Sequence, residues 1–215
     1  MSAILTLKDH VYNYISDKIN SGELKANEKI NEKEVMDALN ISRTPVREAL
    51  IQLAAEGFIH NVPRKGFLVK LIDEKKIREV YSLLGVLDGY AASISCSKLT
   101  DRDYRSMEML VYGMDKAISD GDYSDYHSLQ VEFHDIYINK CENEELIRMI
   151  HQLKNFFIKE ENSDGSQETT DIFLRTNREH EKILELFRQK NIPELENYLR
   201  TVHWHPIHAH FDTVG

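Results

Sequence analysis

The chain has 215 residues, a formal net charge of −9, 41% hydrophobic residues and two cysteines, Cys96 and Cys141. That length holds one large domain or two small ones, each able to bury a core. No stretch approaches the ~20 apolar residues of a membrane span, no basic-then-apolar run opens the chain as an export signal would, and two isolated cysteines lack metal-type spacing, so buried free thiols in the cytoplasm are expected.

Charge is unevenly divided. Residues 1–70 hold ten Lys/Arg against nine Asp/Glu, whereas residues 71–215 hold seventeen against twenty-seven. Between Arg43 and Lys70 five basic residues face two acidic ones. A local basic footprint of this kind is what nucleic-acid affinity requires, whatever the charge of the whole.

In chain order, Val11, Ile15 and Ile19 mark an amphipathic helix, and a short second helix carries Val35 and Leu39. The stretch Ser42-Arg43-Thr44-Pro45-Val46-Arg47-Glu48-Ala49-Leu50 then reads as a sharp helix start. Ser42 suits the N-cap, Pro45 falls in the first turn where a missing N–H costs little, and Val46, Leu50, Leu53 and Ala54 recur at helical spacing. Arg43 and Arg47 are four apart and so share a face, presenting two guanidinium forks suited to guanine edges or phosphates in a major groove. An ordinary amphipathic helix with solvated arginines is the competing reading of these residues alone. Val62-Pro-Arg-Lys-Gly-Phe-Leu-Val69 reads as a hairpin in which Gly66 takes positive φ.

Beyond Leu71 the signal is almost wholly helical. Asp73 caps a helix with the stripe Ile77, Val80, Tyr81, Leu84, Leu87, Ala91 and Ile94, and Thr100-Asp101 opens another that ends at Gly121. Further helices are predicted over about 122–140, 143–160, 171–189 and 192–210, with a polar, patternless loop over 161–170. The predicted fold class is mostly α: three helices with a small β-hairpin over 1–71, then a six-helix bundle over 72–215.

Residues 5–71, through SRTPVREAL and the following EGFI and PRKGF, closely resemble the winged helix-turn-helix of GntR-type bacterial transcription regulators. The resemblance implies that Lys33, Ser42, Arg43, Thr44 and Arg47 contact DNA and that Arg64, Lys65 and Gly66 form the wing. The six helices that follow resemble the FCD effector domain of the FadR branch, through Phe133-His134, Glu179-His180, Ile183-Leu184 and a histidine near the last helix. Metal-binding members place an Asp and a His four apart on one helix and two more histidines on the last two helices. By that resemblance the metal positions are Gln130, His134, His180 and His203, for Zn²⁺ or Ni²⁺. Gln130 stands where the family has Asp. The family spacing of twenty-two from His180 lands on Val202, one residue before His203, which lies within about 40° of Leu199 on a regular helix. Many members also grip a carboxylate ligand through an Arg on the first helix; the matching pair here is Leu84 and Asp88. Asp88, Tyr137 and Arg148, with Tyr90 and Tyr126 nearby, are the candidate effector residues.

The implied function is a ligand-responsive transcription regulator, expected to be a homodimeric repressor on a pseudo-palindromic operator, with a small-molecule effector and no membrane association. A metal-dependent enzyme or a metal sensor in the histidine-containing bundle is the alternative.

Overall fold

A computed structural model describes residues 6–70, 74–154 and 167–208. They form two compact units, one from 6–70 and the other from 74–154 and 167–208. The Asp73 cap, residues 161–166 of the expected loop, and His210 lie outside the described residues.

In the first unit, α1 (Leu7–Asn20) opens on a capping box between Thr6 and Asp9. It packs against α3 (Arg43–Glu56), and α2 (Glu32–Leu39) lies on α3 as well. Val11, Ile15, Val46, Leu50, Leu53 and Phe58 are wholly buried and form the core. The link from α2 to α3 is short because Asn40 adopts the left-handed conformation at φ 51° and the Ile41 N–H returns to the Met36 carbonyl at 3.1 Å; Asn tolerates that conformation better than most residues. Ser42 occupies the N-cap of α3 as expected, with extended backbone, but its hydroxyl makes no capping hydrogen bond.

Strands β1 (Ile59–Val62) and β2 (Gly66–Val69) pair antiparallel with Val62 opposite Gly66. The Lys65 N–H donates to the Val62 carbonyl at 3.1 Å, and the turn places Arg64 at φ 65° and Gly66 at φ 92°. The other edge of β2 takes the Asn27–Ile30 segment: the Ile30 N–H donates to Phe67 and the Val69 N–H to Glu28, both at 2.9 Å. The wing is therefore anchored on both sides.

The second unit contains α4 (Glu74–Ser95), α5 (Asp101–Asp120), α6 (Tyr123–Lys140), α7 (Glu144–Lys154), α8 (Gln167–Gln189) and α9 (Ile192–Tyr198). Helix α5 packs on α6 and α8, while α4 packs on α6, α7 and α9. Phe133, Tyr137 and Phe187 are wholly buried; each such side chain contributes about 2–3 kcal/mol on removal from water. Gln167–Thr170, expected in a loop, begin α8 instead; Gln167 bonds Asp171 one turn on, which supports helix where composition alone reads as loop.

The final helix departs furthest from expectation. It does not run regularly from 192 to 210: after Tyr198 a π-helical turn spans Leu199–His203, closed by the Trp204 N–H on the Leu199 carbonyl at 2.9 Å. Pro206 follows, with no N–H to extend the regular ladder. A π turn contains one residue more than an α turn demands. That extra residue absorbs the offset between Val202 and His203: Val202 is 37% exposed and His203 only 7%. The turn sits tightly on α4, because a Cβ on Gly85 would lie 3.0 Å from Arg200 Cα and one on Gly89 would lie 3.3 Å from the Glu196 carbonyl oxygen.

Candidate DNA interface and candidate metal centre

Helix α3 turns Val46, Ala49, Leu50 and Leu53 inward, which leaves Arg43 and Arg47 outward with side chains 66% and 54% exposed. Both reach the same acid: Glu32, first residue of α2, lies 3.0 Å from Arg43 Nε and 3.7 Å from Arg47 Nε. The shared carboxylate demonstrates the common face and holds two flexible side chains near one another. Lys33, Ser42, Thr44, Arg64 and Lys65 are exposed and Gly66 half-exposed. Glu32 was not expected to join them, because an acid eleven residues before Arg43 follows no local spacing rule.

The second site lies inside the bundle. His134 comes from α6, His180 from α8 and His203 from the π turn, and each offers a ring nitrogen within 4.8 Å of the others. All three are buried. His203 Nε2 is 3.1 Å from His134 Nε2. The opposite nitrogens meet carboxylates: His134 Nδ1 lies 3.1 Å from Asp88 Oδ2, and His203 Nδ1 lies 3.0 Å from Glu179 Oε2. His134 Nδ1 also lies 2.5 Å from Tyr137 Oη, whose own hydrogen goes to Asp88 Oδ1, so towards the imidazole that oxygen can only accept. With carboxylate and phenol oxygens accepting, each Nδ1 carries the hydrogen and each Nε2 presents a lone pair. Two lone pairs facing at 3.1 Å repel unless a cation lies between them.

A proton on His134 fills that place poorly. Burial, reinforced by the Lys154 ammonium, pushes the His134 pKa down to about 4, against the pull of Asp88. Burial, with His203 and His134 adding to it, likewise holds His180 well below the ordinary imidazole range. Both His180 ring nitrogens are buried without a hydrogen-bond partner. A divalent metal bound there would resolve these conflicts together. Nitrogens at about 2.0–2.1 Å from tetrahedral Zn²⁺ stand about 3.4 Å apart, close to the observed separation. Asp88 and Glu179 stand where carboxylates behind metal-ligating histidines would fix tautomer and ring direction. The residues present therefore fit a divalent metal, held by His134, His180 and His203, which would supply a Lewis-acidic centre for a ligand.

Asp88 is the hub of this wall. Its Oδ1 accepts from Tyr137 Oη at 2.8 Å, and its Oδ2 accepts from Trp204 Nε1 at 2.6 Å as well as facing His134. Burial alone would raise its carboxyl, but His134 and Trp204 hold it well below the usual carboxylate range. Asp88 and Tyr137, expected at an effector pocket, are thus brought to the histidines, and Leu84 one turn before Asp88 is buried.

Other expected members are not brought in. Gln130 directs its amide to His127 Nδ1 at 3.3 Å, because one helical turn before His134 its side chain meets that neighbour first. Arg148 is exposed and forks onto Glu145 at 3.0 and 2.6 Å, an i,i+3 pair on the outer face of α7. Tyr90 is 52% exposed. His151 pairs with Asp135 at 3.1 Å, away from the trio. Glu179, by contrast, is brought in and faces His203.

Three participants escaped sequence reasoning: Glu179 as a histidine partner, Trp204, and Lys154. Only Lys154 left a signal. It continues the buried Leu146 and Ile150 face of α7 at a spacing of four, so a charge falls where periodicity calls for an apolar residue.

A winged helix displaying two outward arginines, together with a helical bundle enclosing a sealed donor cluster, defines the class: a DNA-binding regulator with its own effector domain. Residues 7–69 match the bacterial regulatory proteins of the gntR family, and residues 79–202 match the FCD domain. The chain belongs to the GntR family of transcription regulators and carries an FCD domain. It is similar to the Nta operon transcriptional regulator of Aminobacter aminovorans, 30% identical over 135 residues, which are 62% of this chain and 63% of that protein. It is also similar to the HTH-type transcriptional repressor RspR of Escherichia coli K12, 30% identical over 107 residues, half of this chain and 47% of RspR. The chain thus matches less than two thirds of the length of either relative. Among solved structures, E. coli McbR/YncC shares the fold at a TM-score of 0.77 and 19% identity, covering 95% of this chain and 96% of its own. No helix among the described residues is long and apolar enough to cross a membrane.

Proposed function

We propose that this protein is a homodimeric, ligand-responsive repressor that binds a pseudo-palindromic operator through Arg43 and Arg47. In this reading a Zn²⁺ or Ni²⁺ ion on His134, His180 and His203 forms the floor of the effector site. The observation that carries the metal is the pair of facing Nε2 atoms, each backed by a carboxylate. A two-fold arrangement of winged units places two recognition helices in successive major grooves, and the name of the relative RspR supports repression. The effector acts by binding one arrangement of the dimer better than another, since only differential affinity shifts a population. An enzyme in the bundle would need a placed general base; the nearest carboxylates, Asp88 and Glu179, are engaged by histidine Nδ1 atoms.

Operator binding and thermal unfolding, measured on the same proteins, test the two halves. Operator DNA is titrated by fluorescence anisotropy with wild type, Arg43→Ala and Arg47→Ala, each chelator-stripped and then zinc-loaded. Each arginine variant is expected to lose about 1–3 kcal/mol of binding, the worth of one bidentate base contact. Zinc is expected to raise the unfolding temperature of all three proteins and to leave that of His180→Ala unmoved. Unchanged operator affinity in both arginine variants sinks the DNA assignment; zinc without effect on wild-type unfolding sinks the metal.

A further inference from the structure

We propose that Lys154 is the charged anchor of a site for a small oxyanion, a carboxylate or phosphate group, seated over the histidine trio. The proposal rests on the effector role of the bundle given above. Lys154 stands at the end of α7 on its inward face, and its Nζ is buried with no hydrogen-bond partner. An ammonium carries three donors and accepts nothing; leaving all three unmet in a buried place is costly. The Nζ stands 6.0 Å from the centre of the Trp204 ring, whose Nε1 bonds Asp88, which in turn faces His134. The unmet donors therefore border the same wall as the three imidazoles.

The nearby acids do not satisfy it. Burial holds the Lys154 pKa below the ordinary lysine range, and Asp88 and Asp135 oppose that only through space; each is committed to a histidine, His134 and His151 respectively, and neither forms an ion pair with the ammonium. Charge counting points the same way. A divalent metal on three neutral imidazoles plus the Lys154 ammonium carries three positive charges, and Asp88 with Glu179 returns two negative ones. That leaves one positive charge, opposed only by Asp135, which His151 already engages at 3.1 Å. A singly charged oxyanion between Lys154 and the metal would supply the acceptors that the ammonium lacks.

The test compares full-length wild type with Lys154→Met and Lys154→Arg by thermal unfolding, each zinc-loaded and chelator-stripped. Sodium acetate and inorganic phosphate serve as probes against sodium chloride at matched ionic strength. In chloride, Lys154→Met is expected to unfold at a higher temperature than wild type, because an unpaired buried charge has been replaced by an apolar chain of similar volume. At least one oxyanion is expected to stabilise wild type and Lys154→Arg, with an apparent affinity in Lys154→Met weaker by roughly tenfold or more. Which anion acts separates a carboxylate from a phosphate ligand. The proposal is overturned if Lys154→Met responds to the anions as wild type does, or if neither anion moves wild type. Stabilisation by zinc with no anion response leaves the metal standing and removes Lys154 as an anchor. An anion response that survives chelation and depends on Lys154 keeps Lys154 as the anchor and removes the metal from the anion's contacts.

Discussion

The two units of this chain treat polar side chains in opposite ways. The winged unit turns its arginines outward and steadies them with one exposed-side acid, Glu32. The helical unit turns three histidines, two carboxylates and a lysine inward, where His180 and Asp88 are wholly inaccessible. On the roles proposed above, the difference follows the size of the partner. DNA is large and brings its own charge, so contacts to it need only a common face and freedom to adjust. A small ion or effector would be enclosed, so contacts to it must be set in advance by hydrogen bonds that exclude water. Stability should accordingly depend on the inward groups and DNA affinity on the outward ones.

The severest way to strain that contrast is at Asp88. Replacing it with Ala leaves Trp204 Nε1, Tyr137 Oη and His134 Nδ1 without their shared acceptor. Loss of one member of a buried charged network is expected to cost about 3–5 kcal/mol. Urea unfolding at pH 7 measures it. A loss below about 1 kcal/mol, the size of an exposed pair, would mean that the inward cluster is no more structural than the outward one.

Acid gives the next largest effect. His134 stays neutral in the fold down to about pH 4, whereas in the unfolded chain it protonates near 6.5. Between those values the unfolded state binds the proton that the fold refuses, so stability falls as pH drops. For His134 alone the metal-free protein is expected to lose about 3 kcal/mol from pH 7 to 4; His180, shifted the same way, adds to it. Metal binding should also persist below the pH of free imidazole, since burial delays the competing proton. Unfolding of wild type and His134→Gln across this range reads the difference, and parallel curves would show that His134 does not carry it.

What the sequence made legible divides along the same line. The start of α3 was readable from the sequence, because a first-turn proline and helical spacing are local signals that SRTPVREAL carries, although Ser42 holds the N-cap without a capping hydrogen bond. The bundle was readable as helices and as three histidines, but not in how these met. The departure at His203 looked like a flaw in spacing, and only the π turn, whose extra residue no propensity scale announces, brought it inward. Glu179 meets His203 across twenty-four positions and Trp204 meets Asp88 across 116. Pairings of that length are set by packing, including the close approach at Gly85, and leave no periodic trace. Arg148 illustrates the converse: an arginine near a pocket in sequence, satisfied outside by its own helix.

The smallest expected effect is at Glu32, and it bears on the outward side of the contrast. The acid sits between Arg43 and Arg47 at 3.0 and 3.7 Å, so removing its charge has two opposed consequences. It releases both guanidiniums from a preset position, which costs some ordering on binding. It also removes a negative charge from a face that meets phosphates, which favours binding at every sequence. The pairs are exposed, where each is worth at most about 1 kcal/mol, and salt screens that repulsion over about 10 Å at 0.1 M. For Glu32→Gln, whose amide can still accept a hydrogen bond from Arg43, the second effect should dominate. Affinity for non-specific duplex is expected to rise by a few-fold at low salt, within the ~1 kcal/mol worth of one exposed pair, with unfolding temperature nearly unchanged. Anisotropy at two salt concentrations checks it. Weaker binding to all duplexes would instead make Glu32 chiefly a brace, and the arginines would then be preset like the buried histidines rather than free to adjust.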